Sequence, residues 1–354
     1  MATTLRYVTN SGTPPSALKP ALKFEPSMEV VDEKEQDTNT HLIETIAKIQ
    51  TKVYEDAGHA TRGVHAKCHG VMVGKLKVLD DLPPDLRQGL FSNPGTYEVV
   101  VRLSTIPGDI LDDNVSVPRG LAMKVVGVSG SRVAGSETDV TQDFVFANGP
   151  AFGKSAPQVF LSTLKLLAGT TDKAPALKKA LSTVMRGAEK LVESFGAKSP
   201  ILMTLGGYPE VNILGDEFYS QVPILYGDYV AKLALKPFSP ALRALSKTAI
   251  DLKDKPNGIR EAVVDFFSKN EGQWDLQVQL CTDLESMPIE DAAKPWPEDE
   301  SPYRSVARIS IPPQDCWSAA RLKAVNEADV LQSMAFARGA STFGRHESGP
   351  QDRI

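Results

Sequence analysis

The chain has 354 residues, of which 42% are hydrophobic and 23% charged, so it carries enough apolar surface for a substantial core and is not globally disordered. A net charge of -5 excludes a binder of nucleic-acid backbone, which needs a basic surplus to displace counterions. No apolar run reaches the roughly 18 residues of a bilayer span, and Met1 to Arg6 lack the apolar centre of a secretory signal. Taken in chain order, residues 1–40 are rich in Thr, Pro, Ser and acidic side chains and read as an extended or disordered arm. Folding is expected to begin near His41, where Leu42, Ile43, Ile46, Ile49 and Val53 recur at helical spacing.

Beyond Gly63 the pattern changes to short apolar stretches bounded by Gly, Pro, Asn and Asp, which are strand signals. Strands are expected around Val71–Val78, Val99–Leu103, Leu121–Val126, Phe144–Phe146, Tyr229–Leu235, Trp274–Leu280 and Ser305–Ile311. Between them lie two amphipathic helical stretches. Phe160, Leu164 and Leu167 mark the first, and Leu177, Leu181, Val184, Ala188, Leu191 and Phe195 the second, both read as core-packing faces. Strands and helices do not alternate regularly, which points to an α+β chain with an antiparallel sheet closed into a barrel rather than a doubly wound parallel sheet.

Three widely separated cysteines, Cys68, Cys281 and Cys316, form no framework and read as reduced thiols of a cytoplasmic protein. His65 and His69 cluster with Cys68, which raises a zinc site as one reading. On a strand, however, positions four apart stand roughly 13 Å from each other, too far for one ion. A second reading makes one histidine an acid/base group, since imidazole titrates near neutrality; a third makes it a buried structural side chain.

Three further segments bear on that choice. Arg62-Gly63-Val64-His65-Ala66-Lys67, Arg102-Leu103-Ser104-Thr105 and Pro118-Arg119-Gly120-Leu121-Ala122-Met123-Lys124 together resemble, in order and spacing, motifs of the heme catalase superfamily. Phe218 to Pro223 and Tyr226 to Lys232 are similar to its barrel segment, and the resemblance spans about residues 55–330. It implies a catalase-like antiparallel barrel of about eight strands with surrounding helices over residues 41–330, binding heme b. It also implies that His65 is the distal acid/base group, that Ser104 orients it, and that Arg62 and Arg102 hold the propionates. Val64, Phe144 and Phe152 would then line the heme. The implied substrate is hydrogen peroxide or an organic hydroperoxide, with no nucleic-acid or membrane partner, and a homo-oligomer is compatible with it.

The sequence departs from the family in two places. Aligning Asp143-Phe144-Val145-Phe146 with the family's Pro-Val-Phe-Phe strand puts Val140 or Thr141 at its distal asparagine, so a donor that orients peroxide is expected to be absent. The family's proximal tyrosine, four residues after an arginine on a C-terminal helix, is also not found. Tyr303 is the last tyrosine, and Thr342 and Gly349 stand four beyond Arg338 and Arg345, which leaves the metal site without a protein ligand. Read one nucleotide later, residues 331–354 can encode Phe-Ser-Pro-Trp-His and then Arg-Pro-Leu-Gly-Gly, as small catalase-related proteins close. The tryptophan is independent of codon choice, because Met334 followed by any alanine codon gives TGG. The tail looks frameshifted. The alternative implied is a catalase-fold protein with impaired or no heme binding, hence a non-enzymatic binder or an inactive product.

Overall fold

The computed structural model describes residues 18–58, 62–108, 110–130, 136–154, 156–170 and 209–328. The helical stretch expected at Leu177–Phe195 and the divergent tail 331–354 lie outside the described residues. Nine strands form one antiparallel sheet: β1 (Lys67–Val78), β2 (Thr96–Thr105), β3 (Arg119–Val126), β4 (Thr141–Ala147), β5 (Phe218–Tyr219), β6 (Ile224–Tyr226), β7 (Tyr229–Pro237), β8 (Gly272–Leu280) and β9 (Arg304–Ile311). Their order is β5-β4-β3-β2-β1-β9-β8-β7-β6, and β5 also pairs with β7, which closes the sheet. Because β5 and β6 share one edge of β7, they act as one interrupted strand, and the closed barrel counts eight.

Alternation explains the wall. On β1 the exposed Val73, Lys75 and Lys77 separate the buried Met72, Leu76 and Val78, and on β2 the buried Val99, Val101 and Leu103 enter the same core. Opposite residues of an antiparallel pair point to one face. Rows such as Leu103–Leu121–Phe146 therefore fill the interior, and rows such as Ser104–Gly120–Ala147 lie on the outer surface.

Helix α1 (Glu35–Ala57) precedes the barrel, α2 (Pro157–Thr170) follows β4, α3 (Gly258–Phe267) precedes β8 and α4 (Ala319–Ala328) follows β9. In α3, Ile259, Val263 and Phe267 recur every four residues and are buried in the barrel core, each contributing roughly 1.5–3 kcal/mol. Ile49 and Val53 of α1 pack with Leu164 of α2 in a separate cluster.

The expectation for residues 1–40 needs correction over its described part. Helix α1 begins at Glu35, six residues before His41, because Glu35 and Asp37 place negative charge at the positive end of the helix dipole. The preceding residues strap the barrel: Leu22 N–H donates to Cys281 O at 2.8 Å and Phe24 N–H to Asp228 O at 2.7 Å. Leu22, Phe24 and Met28 pack there on the buried Val230, Met287 and Trp296.

Candidate functional site at the head of β1

His65 stands in the turn that enters β1, with φ at 53°, in the left-handed region where a non-glycine residue is strained unless its surroundings hold it. Those surroundings are specific. Arg102 Nη2 donates to His65 O at 2.9 Å and Ala66 O at 3.2 Å, and Ala66 N–H donates to Pro107 O at 3.1 Å. The β1–β2 register pairs Cys68 with Ser104, which brings Ser104 Oγ to 3.3 Å from His65 Nδ1.

The donor and acceptor roles in that contact follow the tautomer of the ring. Ser104 Oγ also lies 3.5 Å from Gly120 O, and a hydroxyl has one hydrogen to give. If it donates to Gly120 O, it accepts from Nδ1–H and leaves a lone pair on Nε2. Burial pushes the imidazole down to about 4, with the Arg102 guanidinium adding to the shift, so His65 is neutral at physiological pH. Gly120 is required by space: a Cβ there would stand 2.6 Å from His65 Cε1 and 2.7 Å from Nδ1.

The outer face beside this histidine is small and apolar, made by Gly120, Ala122 and Ala147, with Val145 51% exposed and Val64 39% exposed at its margins. Arg102 is buried under the turn, and its Nε finds no acceptor among the described residues. Burial holds the Arg102 guanidinium below its ordinary range, with Cys68 acting against the shift and the nearby Arg62 cation adding to it. Arg62 Nη2 donates to Val325 O on α4 at 3.2 Å. Two guanidinium groups thus converge at the head of β1, one with an unfilled buried donor.

Of the two phenylalanines, Phe144 differs from expectation. Phe144 lies in the barrel core, stacked on Phe146 at 6.3 Å, with its ring on the far side of the wall from His65; the outward residue of that pair is Val145. Phe152 meets Phe160 of α2 edge-on at 5.1 Å and donates its N–H to Ala292 O.

His65 and His69 do not share a site. Ser104 and Thr105 are successive residues of β2 and face opposite ways; His69 Nε2 lies 3.1 Å from Thr105 Oγ1, inside the barrel mouth. There it is fully buried in a polar plug. Lys67 Nζ meets Asp113 Oδ1 at 2.7 Å and Leu111 O at 2.6 Å, and Asp113 Oδ2 accepts from Ile259 N–H at the start of α3. Burial, aided by Lys67 and Arg260, holds His69 well below its usual range and neutral. Among the described residues no group of three His, Cys, Asp or Glu side chains is arranged to hold a metal, which removes the zinc reading for this pair.

No protein-family model matches the chain, and neither does any curated protein sequence. Solved structures do. A bacterial catalase superposes with a TM-score of 0.57 over 97% of this chain and 63% of its own, at 16% identity. Catalase A from Saccharomyces cerevisiae gives 0.56 over 95% of this chain and 66% of its own, at 18% identity. A fungal catalase gives 0.55 over 96% and 65%, at 17% identity.

The chain has the catalase fold. It spans about two thirds of the length of these catalases.

Within this catalase fold the question of an asparagine changes. β4 runs from Thr141, opposite Val126, to Ala147, opposite Gly120, so Val140 and Thr141 stand at the end of the strand remote from His65. The residue leaving β4 beside Gly120 is Asn148, and the expected absence of an asparagine there is corrected. Its Oδ1 accepts from Arg119 N–H at 2.9 Å and its Nδ2 lies 3.3 Å from Asp216 Oδ2, so the side chain braces β3 against the segment before β5. Arg119 completes that brace through Asp216 at 2.9 Å. The sequence signal was available in Asn148-Gly149-Pro150, a turn signature one residue past an alternating strand.

Proposed function

We propose that the chain is a heme protein of the catalase fold that reduces hydrogen peroxide or an organic hydroperoxide. One observation carries this: His65 is held neutral, with Nδ1 engaged by Ser104 and Nε2 left as a base, at the edge of a flat face of small residues. That arrangement fits a planar macrocycle. The unfilled Nε donor of buried Arg102, with Arg62 nearby, fits its carboxylates.

Heme b, when bound, would supply the redox chemistry for peroxide reduction. The protein's share is proton handling and placement. His65 Nε2 takes a proton from one peroxide oxygen and returns it to the other, and Ser104 keeps the ring in the tautomer that can do so. Arg102 holds the turn carrying His65 through two carbonyls and, with Arg62, would receive the propionates. Val64 and Val145 exclude water from the face. We further assign the chain to the cytoplasm with a small peroxide as its partner, which is compatible with a homo-oligomer; among the described residues no helix is long and apolar enough to cross a membrane.

Hemin titration of the purified chain, followed by its visible spectrum, tests the reading. A sharp Soret band saturating at one heme per chain is expected. In His65→Ala, peroxide turnover should fall by roughly two orders of magnitude with heme uptake retained; undiminished turnover would remove His65 from the mechanism. The second reading, a fold that does not hold heme, is favoured by residues 304–354, among which no tyrosine stands to hold the iron. A broad spectrum of loosely adsorbed hemin would establish it.

A further inference from the structure

The outer row of the wall that begins at Ser104 and Gly120 continues through Ala147 to Tyr219, and there it reaches a cluster that the peroxide chemistry leaves unused. Tyr219 stands about 10 Å from Gly120, two strand spacings along the same face. Its hydroxyl donates to the carboxylate of the exposed Glu217, and its ring meets Tyr303 edge-on at 5.9 Å. Tyr219 is only 9% exposed, whereas Tyr303 is partly open to solvent. Lys236 Nζ lies 5.0 Å above the Tyr303 ring and 3.7 Å from Glu298. Among the described tyrosines, Tyr219 alone places its hydroxyl on a carboxylate.

We propose that Tyr219 and Tyr303 form an electron relay between a small phenolic reductant at the surface and the oxidised heme on the His65 face. The proposal rests on the heme reading above. In the first step Tyr219 would give one electron to the heme, once bound and oxidised by peroxide, and its hydroxyl proton to Glu217, leaving a neutral phenoxyl radical beside a neutral carboxylic acid. In the second, a phenol docked against Tyr303 gives one electron through that ring. Glu217 returns its proton to the Tyr219 oxygen, and the phenol's own proton goes to water. The hole rests on Tyr219 because only there does a base take the proton, while the Lys236 cation over Tyr303 opposes positive charge on the outer ring. Burial, with Glu217 hydrogen-bonded and charged beside it, raises Tyr219 above the usual phenol range, so the proton leaves only with the electron.

The test separates this assignment from heme binding. The heme-free chain is oxidised with hexachloroiridate, a one-electron oxidant, and the phenoxyl absorption band is followed in wild type, Tyr219→Phe and Glu217→Gln. A fast phase is expected in wild type, absent in Tyr219→Phe and slowed about tenfold or more in Glu217→Gln. Wild-type kinetics in both variants would overturn the Tyr219 assignment whatever the heme does. The hemin-loaded chain is then frozen after peroxide addition and examined by electron paramagnetic resonance. A tyrosyl signal lost in Tyr219→Phe supports the relay, and a signal that persists there overturns it. Failure of the chain to take up hemin would overturn the heme reading and the electron's destination, with the result on the heme-free chain standing apart.

Discussion

At the scale of single residues, the site depends on one missing methyl group. A Cβ at position 120 would overlap the His65 ring edge; the turn cannot retreat without breaking the Arg102 bonds, and β3 is held by its ladder to β2. Gly120→Ala should therefore leave far-UV circular dichroism unchanged while lowering peroxide turnover of the hemin-loaded chain by roughly tenfold or more. The protonation state of His65 gives a second prediction. With the imidazole held to about 4, the base form persists through the neutral range. Accordingly kcat/KM for peroxide should stay flat as pH falls toward about 5, then decline as His65 is protonated and Nε2 loses its lone pair. A midpoint near the ordinary histidine value of about 6.5 would show that the His65 ring is solvated.

Much of this was legible in the amino-acid order, and the failures have physical causes. His65 and Ser104 are 39 residues apart, so no local spacing joins them; the resemblance named them, and the antiparallel β1–β2 register makes the contact. Phe144 was misplaced because a strand has a period of two: an alignment fixes the strand but not which face is which, and its neighbour Val145 is the outward one. Asn148 was passed over because it lies in the turn beyond β4 rather than in its alternating run.

Among whole elements, β7 carries an unusual burden. Lys232 points outward from the barrel yet is only 1% exposed, covered by the segment bearing Trp296, whose ring lies 5.1 Å from Nζ. One hydrogen bond, to Lys294 O at 3.1 Å, serves its three donors. Burial pushes the amine down to about 8, with Asp291 acting against the shift. The folded state thus binds protons less tightly than the unfolded chain. The penalty is fully present below about pH 8, on the order of 3 kcal/mol, and is relieved as pH rises through the window up to the unfolded value near 10.5. Lys232→Met should raise Tm at pH 7 by several degrees, and its advantage over wild type should shrink by pH 9.5, as followed by calorimetry. The long strands were readable from alternation, but β5 and β6, two and three residues long, leave no periodic trace, and α3 and α4 were not foreseen. The α3 stripe of Ile259, Val263 and Phe267 sits in a stretch of ten residues, short enough for its pattern to pass as a turn-rich connection.

For the whole molecule, closure is uneven. β1 and β2 share ten paired positions, whereas β4 meets β5 at Ala147–Tyr219 alone and β5 meets β7 at two positions. The seam is the place where the barrel opens first. Hydrogen exchange followed by mass spectrometry should show Tyr219 and Ser220 exchanging well ahead of Val101 and Val278, which lie in the middle of fully paired strands. Equal protection across the seam and the centre would mean that the barrel opens only as a unit.

The pairing of β1 with β9 reaches further than stability. Lys75 lies opposite Ser310, so the first of the nine described strands waits for the ninth. On a ribosome adding ~5–20 residues per second, the finished β1–β4 meander keeps its β1 edge bare for roughly 8–33 s before β9 arrives. During that interval an unpaired edge can recruit the same edge of a neighbouring nascent chain. Lys75 and Lys77, exposed on that strand and paired with Glu98 and Asp80, line it with charged side chains that a second edge would have to desolvate, which deters edge-to-edge association until the proper partner is made.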